Sequence, residues 1–101
     1  MIIYNVTNKV NHSIAADWLT WLKEEHIPEI INTGYFIHAV ILHLLEADEE
    51  DGITYAVQYY TESKSFYNRY LETHAIQMRK KAVDKWGNQF IAFRSLMEVV
   101  N

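Results

Sequence analysis

The alternation of apolar and polar residues along the chain predicts four β-strands. Successive side chains of a strand point to opposite faces of its sheet, so apolar residues at every second position indicate a strand with a covered face. Ile2, Tyr4 and Val6 follow this pattern in the first stretch. The predicted strands cover residues 2–10, 35–46, 53–61 and 89–100.

Two stretches between these strands have the apolar spacing of helices. Trp18 and Leu22 belong to such a stripe over residues 14–32, and Tyr70 and His74 belong to another over residues 63–86. Each helical region is expected to be interrupted, the first near 26–28 and the second near 73–75. Pro28 causes the first break, because proline removes the amide donor that the carbonyl of Glu24 would need.

Residues typical of helix ends frame both regions. Ser13 is the expected N-cap of the first helix, and Ser63 begins the second. Gly34 and Gly87 follow the helices at the position where a left-handed backbone conformation is common.

The order β-α-β-β-α-β predicts an α+β fold of the ferredoxin-like type, with helices on one face of a four-stranded antiparallel sheet. A chain of 101 residues suits a single domain over 1–101. Strands 35–46 and 89–100 are apolar on both faces, whereas the helices can cover only one. We therefore expect a homodimer that pairs the open sheet faces and closes a barrel from two protomers.

Composition and charge exclude several classes of function. The net charge of −4 argues against nucleic-acid binding, and Arg79, Lys80, Lys81 and Lys85 are interpreted as a solvated helix face. The chain has no cysteine, which excludes disulfides, thiol catalysis and cysteine-based zinc sites. Neither a signal peptide nor a membrane-spanning run is recognisable, so a soluble cytoplasmic protein is expected.

Two histidines are the candidate catalytic residues. His26 falls near the apolar stripe of the first helix, and His74 lies where the second helical region is expected to break. Each could face a pocket between helix and sheet and act as a general acid or base. The structural alternative is that each imidazole binds backbone carbonyls freed at the helix interruptions.

An aromatic interior supplies the candidate ligand pocket. Such a cluster suits a flat organic ligand, but it also suits an ordinary core or a dimer interface. Arg94 could bind an anionic group or form an ion pair across the dimer, with Glu98 as a partner. The strand positions of Asn5, Thr7, Gln58 and Arg94 allow these four residues to share one sheet face. The pocket candidates are Asn5, Trp18, Trp21, Tyr59 and Arg94, and the wider cluster adds Tyr4, Tyr55, Tyr60, Tyr67 and Tyr70.

No metal or cofactor is expected. His26 and Glu29 have the spacing of two ligands on one helix face, but two ligands do not complete a site. The acidic loop 48–51 lacks the pattern of a calcium loop and is interpreted as a solvated turn. No nucleophile motif, phosphate loop or dinucleotide fingerprint is present.

Several segments resemble a family of short bacterial proteins known as a domain of unknown function. The similar segments are Trp18-Leu-Thr-Trp21, His26-Ile-Pro28, Thr33-Gly34-Tyr-Phe36, Tyr70-Leu-Glu-Thr-His74-Ala75 and Phe90-Ile-Ala-Phe93-Arg94. The resemblance covers nearly the whole chain. It implies a dimeric α+β barrel, a group that includes antibiotic-biosynthesis and haem-degrading monooxygenases, isomerases and ligand-binding regulatory domains.

One local motif is similar to the monooxygenase-like members of that group. Glu62-Ser63, followed by Phe66 and His74, resembles the start of their second helix, although Thr61 stands where some members have Trp. Asn5 and His74 match positions that haem-degrading members use. Two hypotheses result: a homodimeric module for binding or interaction, and a cofactor-independent monooxygenase-like enzyme acting on an aromatic or conjugated molecule.

Overall fold

A computed structural model describes all residues 1–101 and has the predicted α+β architecture. The four strands form one sheet in the order β2-β3-β1-β4, and all three neighbouring pairs are antiparallel. This is the strand order of a ferredoxin-like sandwich. The strands are β1 (Ile2–Asn11), β2 (His38–His43), β3 (Gly52–Thr61) and β4 (Phe90–Glu98).

Two helical regions lie on one face of this sheet, and both are interrupted as predicted. The first comprises a 3-10 turn (His12–Ile14), α1 (Ala15–Trp21), a π-helical turn (Leu22–His26) and α2 (Ile27–Ile31). The second comprises α3 (Lys64–Tyr70), a π-helical turn (Leu71–Ala75) and α4 (Ile76–Trp86).

The interruption of the first helical region lies directly before Pro28. The amide of Ile27 donates to the carbonyl of Leu22, five residues earlier, which widens the turn just before the residue that has no amide proton. Pro28 then occupies the first turn of α2, where its missing donor costs little.

Three of the four predicted helix-end residues behave as expected. Gly34 and Gly87 have φ angles of 88° and 61°, and Ser63 Oγ accepts a hydrogen bond of 3.2 Å from the amide of Phe66. The prediction for Ser13 is wrong. Ser13 lies inside the 3-10 turn and makes no capping hydrogen bond, because the chain enters this turn directly from β1.

The hydrophobic core lies between the sheet and the helices. Val57 and Tyr59 of β3 and Val10 of β1 are buried against Trp18 and Leu22 of the first helical region. Tyr4 and Val6 pair with Tyr59 and Val57, so the even-numbered positions of β1 share this face. Aromatic residues make up 14% of the chain, and the tyrosines among them bring hydroxyl groups as well as apolar area into this core.

The second strand is shorter than predicted. It covers His38–His43, which pair with β3 residue by residue. The amides of Ile37 and Leu44 still donate to the β3 carbonyls of Tyr60 and Thr54, and the predicted residues beyond these two are not part of the strand. As an edge strand it is only partly covered, and Leu45 beyond its end is 74% exposed. Burial on both faces of this segment is therefore not observed in the single chain.

The sheet face opposite the helices has exposed apolar side chains on its β4 half. Phe93 is 68% exposed and Ile91 is 58% exposed, and Met97 lies on the same face. A polar stripe accompanies them, in which Asn5 Nδ2 donates to Thr7 Oγ1 at 2.9 Å and to Ser95 Oγ at 3.3 Å. We call the residues of this uncovered side the open sheet face.

Candidate functional site

A cavity of about 50 Å³ lies between the sheet and the two helical regions. At about 10–15 Å³ per molecule, this volume holds a few waters or a small chemical group, and it is well below the pocket of a drug-sized ligand. Most of its walls are aromatic or aliphatic, and its polar lining is concentrated in Tyr4, Asn8, His26, Tyr59, Tyr70, Arg79 and Arg94.

The hydroxyl of Tyr4 is the meeting point of two arginines. It accepts a hydrogen bond of 3.3 Å from Arg79 Nη2 and one of 3.1 Å from Arg94 Nε. Arg79 comes from α4 and Arg94 from β4, so the two cations arrive from different layers of the fold. Neither arginine has a carboxylate partner, because the ion pairs of the structure involve other residues: His43–Glu49, Lys80–Asp84 and Lys81–Glu29.

Two further tyrosine hydroxyls line the cavity and bind no protein atom. Burial raises the pKa of Tyr59 and of Tyr70 well above the usual range, and the neighbouring hydroxyl of Tyr4 adds to the increase. Both phenols are therefore protonated at neutral pH and remain available as hydrogen-bond donors to whatever occupies the cavity.

His26 is a half-buried imidazole on the cavity wall. Its ring stacks on Trp21 with centroids 4.5 Å apart and an interplanar angle of 21°. Burial lowers its pKa from 6.5 to about 4, although Glu29 nearby opposes this change. The imidazole is therefore neutral at physiological pH. No protein atom forms a hydrogen bond with it, so the expected bond to a backbone carbonyl is not present.

The second histidine candidate lies elsewhere. His74 packs against Tyr35 and Tyr70, with ring centroids 5.9 and 6.3 Å away, and is not part of the cavity lining. Tyr70 stands between His74 and the cavity, since its ring contacts both. The structure therefore does not bring His26 and His74 together in one cavity.

The remaining pocket candidates separate onto the two faces of the sheet. Trp18, Trp21, Tyr59 and Arg94 line the cavity, whereas Asn5 lies on the open sheet face with Thr7. Asn5 pairs with Gln58, but Arg94 pairs with Val6, one position further along β1. The expectation that Arg94 shares a face with Asn5 is wrong, because adjacent positions of a strand face opposite ways. Arg94 makes no ion pair with Glu98 in this chain; it donates to Tyr4 instead.

Arg79 lies on the cavity wall, although its place in the sequence beside Lys80, Lys81 and Lys85 predicts a solvated helix face. Lys80 pairs with Asp84 and Lys81 with Glu29 at the surface, but Arg79 is directed inward. The signal was present in the helical spacing. Arg79 lies four residues after the buried Ala75 and three before the buried Ala82, on the covered face of α4.

The distribution of metal-ligand side chains and the character of the helices bear on the kind of site. No three histidine, aspartate or glutamate side chains come together as a ligand set for a metal ion. None of the helices combines the length and the apolar character that crossing a bilayer would require.

Comparisons with known proteins give a family and a fold. The profile of the family described as "Domain of unknown function (DUF4286)" matches residues 1–100. No curated protein matches the chain. Solved structures match over nearly its whole length at low identity, which makes the likeness one of fold.

Three of these structures illustrate that likeness. A crystal structure of an antibiotic biosynthesis monooxygenase is 11% identical, with a TM-score of 0.62, covering 98% of this chain and 99% of the other. An "ethyl tert-butyl ether d (ethd) family protein" from Bacillus halodurans C-125 is 11% identical, with a TM-score of 0.65 and coverages of 99% and 100%. A putative antibiotic biosynthesis monooxygenase from Deinococcus radiodurans is 13% identical, with a TM-score of 0.60 and coverages of 100% and 94%.

Proposed function

Since this chain belongs to the DUF4286 family, whose description assigns no activity, we propose a function from its own geometry: a homodimeric module that binds a small organic molecule between its helices and its sheet. The observation that carries the proposal is the aromatic cavity at that position. Tyr4, Tyr59 and Tyr70 place hydroxyl groups on walls that are otherwise largely apolar. Such a combination, in which few polar groups orient a ligand inside an apolar site, is typical of small-molecule pockets.

Unused hydrogen-bonding capacity supports binding over a purely structural core. The hydroxyls of Tyr59 and Tyr70 and the ring of His26 line the cavity and form no hydrogen bond with a protein atom. Arg79 Nε, on the same cavity wall, is buried without a hydrogen-bond partner. Buried polar groups in a finished core are nearly always paired, so the unpaired Arg79 nitrogen supports a guest molecule or ordered water in the cavity.

The homodimer in this proposal uses the open sheet face. Phe93, Ile91 and Met97 form its apolar part, and Phe93 is 68% exposed in the single chain. Monomeric proteins seldom leave several large apolar side chains together in water. A second copy placed by a two-fold axis would cover both faces at once, which supports the partner expected from the sequence.

Native mass spectrometry of the protein purified from its own host tests both parts of the proposal. We expect the mass of a dimer, with an additional small-molecule mass that is released when the protein is denatured. A ligand-free monomer at every concentration would contradict the proposal. A ligand-free dimer would support the homodimer. The titration with benzoate and benzamide would then decide whether the pocket binds a small molecule.

A cofactor-independent monooxygenase-like enzyme is the second candidate. The names of the antibiotic biosynthesis monooxygenases raise it, and His26 is the residue that favours it, because a neutral imidazole facing the cavity can accept a proton. A pKa of about 4 makes that imidazole a weak base at neutral pH. Oxygen consumption in the presence of the retained ligand, lost in His26→Phe, would identify the enzyme.

A further inference from the structure

Hydrogen-bond donors at the cavity lack a negatively charged acceptor. These donors are Arg79 Nη2, Arg79 Nε, Arg94 Nε and the hydroxyl of Tyr4. Arg79 Nη2 and Arg94 Nε both donate to the neutral hydroxyl of Tyr4, and that hydroxyl has no protein acceptor for its own proton. Arg79 Nε is buried and has no hydrogen-bond partner at all. A buried guanidinium nitrogen without an acceptor is costly, so this point of the fold is short of a negatively charged group.

The surrounding charges do not supply that group. The chain has a net charge of −4, yet its acidic residues leave this cavity without a carboxylate lining. Glu29, the nearest acidic residue that acts on His26, is paired with Lys81. The half-buried Arg79 and the exposed Arg94 therefore create a positive site on the cavity wall of an acidic protein.

We propose that Arg79, Arg94 and the hydroxyl of Tyr4 form the binding site for the carboxylate of a small, flat, conjugated carboxylic acid. This inference rests on the proposed function and specifies its ligand class. The planar fork of guanidinium donors matches the two oxygens of a carboxylate, and the aromatic walls of the cavity favour an organic acid over a free inorganic anion. The carboxylate would take up the donors that now converge on one phenol oxygen.

The apolar part of the cavity favours a flat body behind the carboxylate. Trp18, Tyr59 and Val57 are buried on the wall beside the arginines, and rings on this wall offer faces for stacking. Arg94 is exposed on the edge strand β4 and lines the cavity, so its side chain is the part of the wall that a body larger than the present 50 Å³ would have to displace. Arg79 lies deeper and remains as the fixed donor.

Titration with benzoate and benzamide tests the carboxylate site. The two probes have nearly the same size and shape, but only benzoate is charged. The titration is monitored by the amide chemical shifts of the protein. We expect benzoate to bind with a Kd on the order of 1 mM, and benzamide to bind at least about tenfold more weakly. The shifts should centre on Tyr4, Arg79 and Arg94.

Three variants assign the effect to the arginines. Arg94→Gln and Arg79→Gln should each weaken benzoate binding about tenfold while leaving benzamide binding nearly unchanged. Lys80→Gln is the matched control, since it removes the same charge from the solvent side of the same helix and should leave both Kd values unchanged. Arg94 is on an exposed strand, so its variant tests the site even if Arg79→Gln does not fold.

The possible failures have distinct meanings. Equal binding of benzoate and benzamide would overturn the carboxylate site and leave the ligand pocket standing. Inorganic phosphate binding as well as benzoate would overturn the flat organic acid as the ligand class. If neither aromatic probe shifts the cavity residues at about 20 mM, well above the expected Kd, both this inference and the proposed pocket are wrong.

Discussion

The neutral state of His26 links the cavity to the pH dependence of folding. Its pKa is about 4 in the folded chain and near 6.5 in the unfolded chain, so the unfolded state binds more protons between these values. The free energy of unfolding should therefore fall as the pH decreases from 6.5 towards 4.

His26→Phe keeps a flat ring against Trp21 but cannot take up a proton. Urea unfolding at several pH values should show wild type losing on the order of 2 kcal/mol more than this variant between pH 7 and 4.5, a figure that allows for partial solvent exposure of the ring. If the free energy of unfolding changed with pH equally in wild type and His26→Phe, the imidazole would not be desolvated in the folded chain.

The hydroxyl of Tyr4 is the second residue with a measurable role. Tyr4→Phe removes the only protein acceptor of Arg79 Nη2 and Arg94 Nε while keeping the ring that packs near Phe36, Tyr59 and Tyr67. We expect a loss of about 1–3 kcal/mol in the free energy of unfolding. Tyr59→Phe is the matched control, because its equally buried hydroxyl binds no protein atom and its removal should be nearly neutral. Equal losses in the two variants would show that the hydrogen bonds from the two arginines to Tyr4 do not account for the effect.

At the scale of an element, the start of α3 depends on one serine. Ser63 has an extended backbone, and its Oγ accepts from the amide of Phe66 at 3.2 Å, which satisfies one of the free donors of the first turn. Ser63→Ala should lower the free energy of unfolding by about 1 kcal/mol, measured by urea denaturation.

Ser13→Ala offers a control within the same chain. Ser13 precedes α1 but caps nothing, so its substitution should change stability by less than about 0.5 kcal/mol. A larger effect at Ser13 than at Ser63 would contradict the assignment of the caps.

For the whole molecule, the open sheet face should determine the oligomeric state. Phe93 is 68% exposed in the single chain and would occur twice in a two-fold interface. Phe93→Glu should raise the dissociation constant of the proposed dimer on the order of a thousandfold, because a central aromatic residue commonly contributes about 2 kcal/mol and the change is made twice. Sedimentation velocity across a dilution series would measure it. Ile76→Glu is the control, since Ile76 is 77% exposed on α4, away from the sheet, and should leave the dimer intact. Dissociation by Ile76→Glu but not by Phe93→Glu would place the interface on the helices and contradict the proposed dimer.

The sequence by itself determined the features that depend on local spacing. The period of apolar residues identified all four strands and both helical regions, Pro28 located the first interruption, and Gly34 and Gly87 marked the helix ends. These predictions hold because a strand alternates every second residue and a helix repeats every 3.6, whatever lies around them. The presence of Trp18, Trp21 and Tyr59 in the interior follows from the same rule.

The tertiary structure alone decided which strand positions share a face and which helix residues meet them. Register placed Arg94 beside Tyr4 and Asn5 on the other side of the sheet, and packing turned Arg79 inward from a group of lysines. Gly52 shows the same dependence, since a Cβ there would lie 2.4 Å from the carbonyl oxygen of Val10 on the neighbouring strand. Such pairings join residues far apart in the chain, as with Tyr4 and Arg94, whose hydrogen bond spans 90 positions. Local periodicity contains no information about them, because one residue of shift between two strands reverses every side chain.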